Sequence, residues 1–335
     1  MIKATFLINC LLLISLRMLA QSGGNEYKLQ KEIPVDGDGS WDYLTVDQNM
    51  GHLFISHGMM VQVLDLKIEK TIGIIPNTIG VHGIALAPES GKGYISDGRI
   101  DSITIIDINT LATLGKIASS GKNPDAIIYD PFSKRVFAFN GRSSNITAID
   151  VNTDKVVGTI QVSGKPEFAV SDEKGKMYVN IEDKSTIVKL DPVTLKVETE
   201  WPLAPGTGPS GLAMDKKNNR LFSACSDSKL MVVMDATNGK VIQSLPIGAG
   251  CDGLIFIPEN KDIITSNGEG TLTVIHQKDK DHYEVTQTVQ TRKSARTITY
   301  DPSTKKIYLS SADVKMENGK RSVTPGTFRI LVVSK

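Results

Sequence analysis

The chain has 335 residues, with 38 Lys or Arg against 37 Asp or Glu, for a net charge of +1. A balance this close to neutral gives no general attraction to phosphate backbones, which sets nucleic-acid binding aside. The length allows two domains, but a single repetitive all-β domain of this size is ordinary, and 40% hydrophobic residues can fill its core.

At the N-terminus, Lys3 precedes the apolar run Phe6 to Leu16, and Met18-Leu19-Ala20 places a small residue before Gln21. A charged region, an apolar region and a small-residue cut site predict a secretory signal over residues 1–20. Residues 21–335 then form one exported domain, periplasmic or extracellular, expected to act as a monomer. The apolar run is shorter than the ~20 residues of a spanning helix, and no later segment is apolar enough to cross a membrane. Cleavage would remove Cys10 and leave Cys225 and Cys251. In an exported chain that pair allows a disulfide, and two separate buried thiols are the equal alternative.

The first predicted strand, Tyr27 to Val35, alternates polar and apolar residues. After it, seven units follow at a spacing of 40 to 44 residues. Their first strands begin near Asp42, His82, Asp125, Glu167, Ser210, Asp252 and Arg296 and are strongly apolar, as strands covered on both sides should be. Second strands such as Met177-Tyr178-Val179-Asn180 follow. Third strands end on Asp, as in Ile149-Asp150, and tight turns lead into the fourth strands. The seventh unit stops after its third strand, so the spare N-terminal strand is expected to complete it and close a ring. The prediction is a seven-bladed β-propeller of four-stranded antiparallel blades. No run supports a helix of ordinary length.

The aromatic–apolar–Asn strand (Met177 to Asn180, with looser copies at Val136 to Asn140 and Ile263 to Asn267) and the Asp-x-x-Thr-x-Lys-Val turn at Asp150 to Val156 resemble the YVTN-repeat β-propeller proteins of bacteria. The resemblance covers essentially the whole mature chain. It implies the fold and an exported binding or surface role, but no particular chemistry.

Propeller topology puts the first-strand starts and the turns after the second strands on one face. The starts contribute Asp42, His82, Asp125, Glu167, Asp252 and Arg296. The turns contribute His57, Asp97, Arg99, Asn140, Arg142, Glu182, Asp183, Asn267 and Glu269. Such a polar ring can serve only to bind water. Two sharper readings compete with that one. In the first, Asp125, Asn140, Glu167 and Asp252 hold Ca²⁺ or Mg²⁺, which would polarise a lactone carbonyl. In the second, His57 and His82, with Asp42 and Asp97 beside them, bind Zn or Cu or form a general-base pair. The interruption from Val314 to Gly326 carries Lys315, Lys320 and Arg321 and reads as a solvated loop with scattered charge, with a flexible lid over an anionic ligand as the alternative.

Two motif matches are discounted. Gly206 to Gly211 fits a dinucleotide loop but leads into a strand, and Asp36 to Asp47 begins like a Ca²⁺ loop but has Trp41 where the turn needs Gly. The expected function is therefore recognition of a small molecule, glycan or protein at this face, with no certain cofactor. The alternatives are a metal-assisted hydrolase or lyase acting on a lactone or carbohydrate-like substrate, and a structural surface repeat. In the enzyme, Glu167 or Asp125 would hold the ion, His82 would be the acid/base and Arg296 would steady an anionic group.

Overall fold

The computed structural model describes residues 26–317 and 320–335. The predicted signal segment lies outside them, as do the side chains of Lys320 and Arg321.

Seven four-stranded antiparallel sheets follow one another in a ring, each running from an inner strand at the central channel to an outer strand at the rim. Blade 1 comprises Trp41–Asp47, His52–His57, Met60–Asp65 and Lys70–Pro76. Blade 4, its counterpart across the ring, comprises Pro166–Ser171, Met177–Ile181, Thr186–Asp191 and Lys196–Pro202. The first strand of the domain, Lys28–Pro34, pairs antiparallel with the last, Arg329–Ser334, as the outer strand of blade 7. This is the expected closure. It covers an edge whose Leu331 and Val333 are fully buried.

The apolar strands owe their composition to burial on both sheet faces. In the second strand of blade 1, Leu53 and Ile55 pack with Phe328 and Ile330 of blade 7. Phe54, pointing the other way, packs with Ile84 and Ile95 of blade 2. The period of two therefore sorts residues between neighbouring blades, not between core and solvent.

The repeat signatures resolve into hydrogen bonds. Asp150 Oδ1 accepts from the backbone N–H of Asn152 at 3.0 Å and of Thr153 at 2.9 Å, and equivalent turns form at Asp65, Asp107 and Asp191. At the end of the Tyr178-Val179-Asn180 run, Asn180 Nδ2 donates to Ser210 O at 3.0 Å and Gly211 O at 3.1 Å, tying blade 4 to blade 5.

The interruption in blade 7 is a β-hairpin of Val314–Glu317 and Lys320–Val323, where a solvated loop or a flexible lid was expected. Beyond it, Gly326 N–H donates to Asp38 Oδ1 at 3.0 Å. The acidic loop that begins like a Ca²⁺ site thus serves to tie this insertion down. Among the described residues, no helix is long and apolar enough to cross a membrane.

Candidate functional site

A single structural device positions the site. In blades 1 to 6 the ladder between first and second strands slips at the start of the inner strand, for example between Trp41 and Leu44 and between Val81 and Ile84. The slip falls on Asp42, His82, Asp125, Glu167, Ser210 and Asp252. An irregularity of this kind re-aims side chains, here at the mouth of the channel.

Four of the aimed groups, together with Arg296 of blade 7, form a chain of charge contacts across five blades. His82 Nδ1 lies 2.7 Å from Asp42 Oδ2 and 3.5 Å from Asp125 Oδ1. Arg296 pairs through Nη1 with Asp252, and its Nη2 lies 3.7 Å from Asp42 Oδ1. On blade 4, Lys165 Nζ stands 2.9 Å from Glu167 Oε2 and also pairs with Glu182. Blade 5 interrupts the ring, because the Ser210 hydroxyl donates to Cys251 O at 2.8 Å.

Partial burial among like charges sets the electrostatics. Glu167 is pushed up to about 8, first by burial and then by Asp125, against the pull of Lys165. Burial likewise raises Asp125 to about 6, opposed by His82, and raises Asp252 against the pull of Arg296. Burial pushes His82 down, but the Asp42 hydrogen bond and the field of Asp125 outweigh it, and the imidazole is raised overall.

Just below this ring the channel is crossed by two aromatic side chains. Tyr43 and Phe168 follow Asp42 and Glu167 in sequence, where other blades have Gly83, Ala126, Gly211, Gly253 and Thr297. Their ring centroids lie 5.4 Å apart. Below the rings, a cavity of about 530 Å³ opens to the opposite face and is lined by Ile84, Leu86, Ile128 and Ile298. Above them, a cavity of about 440 Å³ at the mouth is lined by Glu182, Ser210, Ser226, Asp252, Lys293 and Arg296. The larger cavity is lined mainly by aliphatic and aromatic residues, with Asp47, Gln48 and Asn49 among them, and of the ring Asp252 and Arg296 line the smaller.

Of the predicted turn residues, Glu182 joins the site through Lys165 and the lining of the mouth cavity, whereas Asn140, Asn267, Asp97, His57 and Arg142 do not. Asn140 is fully buried, donates to Asn145 Oδ1 at 2.8 Å and Thr147 Oγ1 at 2.9 Å, and accepts from Ser119. With its amide satisfied inside blade 3, it is not a metal ligand. Asn267 is held in the same way by Thr271 and Thr273, and Asp97 by Thr104 at 2.6 Å. His57 is fully buried, stacked on Phe328 with centroids 3.9 Å apart, and bonded through Nδ1 to Gln62 at 2.7 Å. Burial lowers its pKa, and it forms no pair with His82. Arg142 is exposed on its turn, near Asp101 of blade 2.

Cys225 and Cys251 are free buried thiols, the second of the two alternatives left open by the sequence. Burial pushes both up to about 12.

Sequence reasoning missed Lys165, Tyr43 and Phe168. For the aromatic pair the signal was present, as two large rings at a position that is small in the other blades. Lys165 precedes its strand, and nothing in the repeat marks it.

No family model matches the chain, and no curated protein matches it in sequence. Solved structures do match in fold. A chain of Kuenenia stuttgartiensis hydrazine synthase aligns with a TM-score of 0.72 at 15% identity, over 87% of this chain and 97% of that one. A chain of a mitotic checkpoint complex aligns with a TM-score of 0.75 at 11% identity, over 100% and 99%. At such identities the likeness shows the propeller fold alone.

Proposed function

We propose that this chain is an exported binding propeller, of the YVTN-repeat kind its signatures resemble, that recognises a small hydroxylated ligand bearing a carboxylate, as acidic sugars do. The observation that carries this is the mixed lining of the mouth cavity. Arg296 and Lys293 supply cations for a carboxylate, while Glu182, Asp252, Ser210 and Ser226 supply partners for hydroxyls. The volume suits one such molecule. Isothermal titration with D-glucuronate, D-galacturonate and D-glucose tests the reading. The acids should bind and glucose should not, and Lys293→Ala should weaken binding by roughly tenfold. Lys293 is exposed, so this variant leaves the fold intact. The reading fails if neither acid binds, or if binding ignores both Lys293→Ala and Arg296→Gln.

A second reading, the hydrolase or lyase, is favoured by the shift of Asp125 and Glu167 toward neutrality, which suits proton transfer near pH 7. Here His82 or Glu167 would exchange the proton and Arg296 would steady the anionic group. Hydrolysis of a sugar lactone above the buffer rate, abolished by Glu167→Gln, is the expected result. A rate equal to buffer rules this reading out for lactones.

A further inference from the structure

Asp42, His82 and Asp125 come from three consecutive blades, and each offers one donor atom, all within 4.8 Å of one another. The imidazole is seated so that one edge is committed. A Cβ on Gly98 would stand 2.6 Å from its Cδ2 and 2.7 Å from its Nε2, so only the absence of a side chain there leaves room for the ring. The Nε2 edge packs on that backbone, and Nδ1 faces the two carboxylates. Arg296 approaches Asp42 through Oδ1, leaving Oδ2 directed at His82. An outer partner that holds a carboxylate in one orientation is what a ligand set requires. The three side chains are 12%, 27% and 14% exposed, so the cluster is shielded yet reachable from the mouth.

The donor set also decides the class of ion. One imidazole with two carboxylates suits a borderline ion such as Zn²⁺ better than Ca²⁺ or Mg²⁺, which prefer oxygen alone. That favours the imidazole reading of the sequence over the all-oxygen one, with Asn140 removed from the oxygen set and His57 from the imidazole pair.

We propose that Asp42, His82 and Asp125 form a three-ligand site for a divalent transition-metal ion, with zinc as the reference case and a further coordination position left for water or the bound molecule. Two carboxylates balance the ion's charge. On binding, the ion replaces the proton between Nδ1 and Asp42 Oδ2, and that proton is released to solvent. The inference deepens the mouth-binding reading but is tested without any sugar. Binding of the ion with no binding of acid sugars overturns only that reading, and the converse overturns only this one.

The experiment titrates the full metal-stripped chain with ZnCl₂, and with CoCl₂ for its visible spectrum. One ion per chain is expected, with Co²⁺ bands of a nitrogen–oxygen site and far weaker binding of CaCl₂ and MgCl₂. His82→Ala and Asp125→Asn should each cost at least about tenfold in affinity. His276→Ala, at a rim histidine paired with Asp262, should cost nothing. Asp125→Asn keeps the side-chain shape, so a folding failure of His82→Ala leaves the test standing. Absence of stoichiometric Zn²⁺ binding overturns the proposal, as does binding that survives Asp125→Asn or that is lost in His276→Ala.

Discussion

The rings of Tyr43 and Phe168 meet 5.4 Å apart although they belong to blades 1 and 4, on opposite sides of the channel. They separate the charged mouth from the larger cavity lined mainly by aliphatic residues. Burial, and then the field of Glu167, Asp125 and Asp42, hold the Tyr43 phenol well above its usual pKa, so it stays neutral beneath the carboxylates. Phe168 is half-buried and also packs against the core shared by blades 3 and 4. Phe168→Ala should lower the unfolding free energy by on the order of 2 kcal/mol. Urea denaturation measures it, and an unchanged midpoint would show that the ring contact contributes nothing.

The raised carboxyls make stability depend on pH in an unusual direction. Glu167 titrates near 4.5 when unfolded and about 8 when folded. Between those values the folded chain holds a proton that the unfolded chain has lost, so stability falls as pH rises and levels off above about 8. Asp125 adds to the same trend up to about 6. Urea midpoints at acidic, neutral and mildly basic pH should decline in that order, by a few kcal/mol in all, on the order expected for a buried carboxyl. Glu167→Gln should flatten most of the decline. A midpoint that rises from pH 5 to 8 would contradict the assignment.

Asn180 is fully buried, and beyond its two bonds to blade 5 its Oδ1 accepts from Ser223 Oγ at 3.0 Å. Removing the amide leaves two carbonyls and a hydroxyl poorly satisfied in the interior. Asn180→Ala should therefore destabilise by about 2 kcal/mol or more. The exposed turn variant Asn152→Ala should stay within about 0.5 kcal/mol of wild type. Similar melting of the two would mean that blades are held by apolar packing alone.

Ring closure gives a prediction about solubility. A chain begun at residue 36 loses Lys28–Pro34 and exposes the hydrogen-bonding edge of Arg329–Ser334. Size-exclusion chromatography should show it moving into aggregates while the chain begun at residue 26 stays in one peak. A single stable peak from the shorter chain would mean that blade 7 closes the ring with three strands.

How far the site could be read depended on side-chain direction. The first-strand starts were legible because each falls at the same beat, and in blades 1 to 6 the same ladder slip re-aims the residue there. Asn140, Asn267, Asp97 and His57 also fall at a fixed beat, on the same end of the blade. Their side chains bond across to the third strand or stack on a neighbour, and a period cannot report that choice. Lys165 belongs to the site only because its long chain folds back onto Glu167 and Glu182.

What the sequence determined alone was the architecture: seven apolar four-strand units, Asp-closed turns, and a spare strand at one end for a missing strand at the other. These are local or periodic properties, and hydrogen bonding and burial leave few other ways to satisfy them. The tertiary structure decided which polar residues meet. His82 lies between Asp42 and Asp125, and Tyr43 reaches Phe168, because curving the blades into a closed ring brings positions about forty or more residues apart into contact. No local preference encodes those distances.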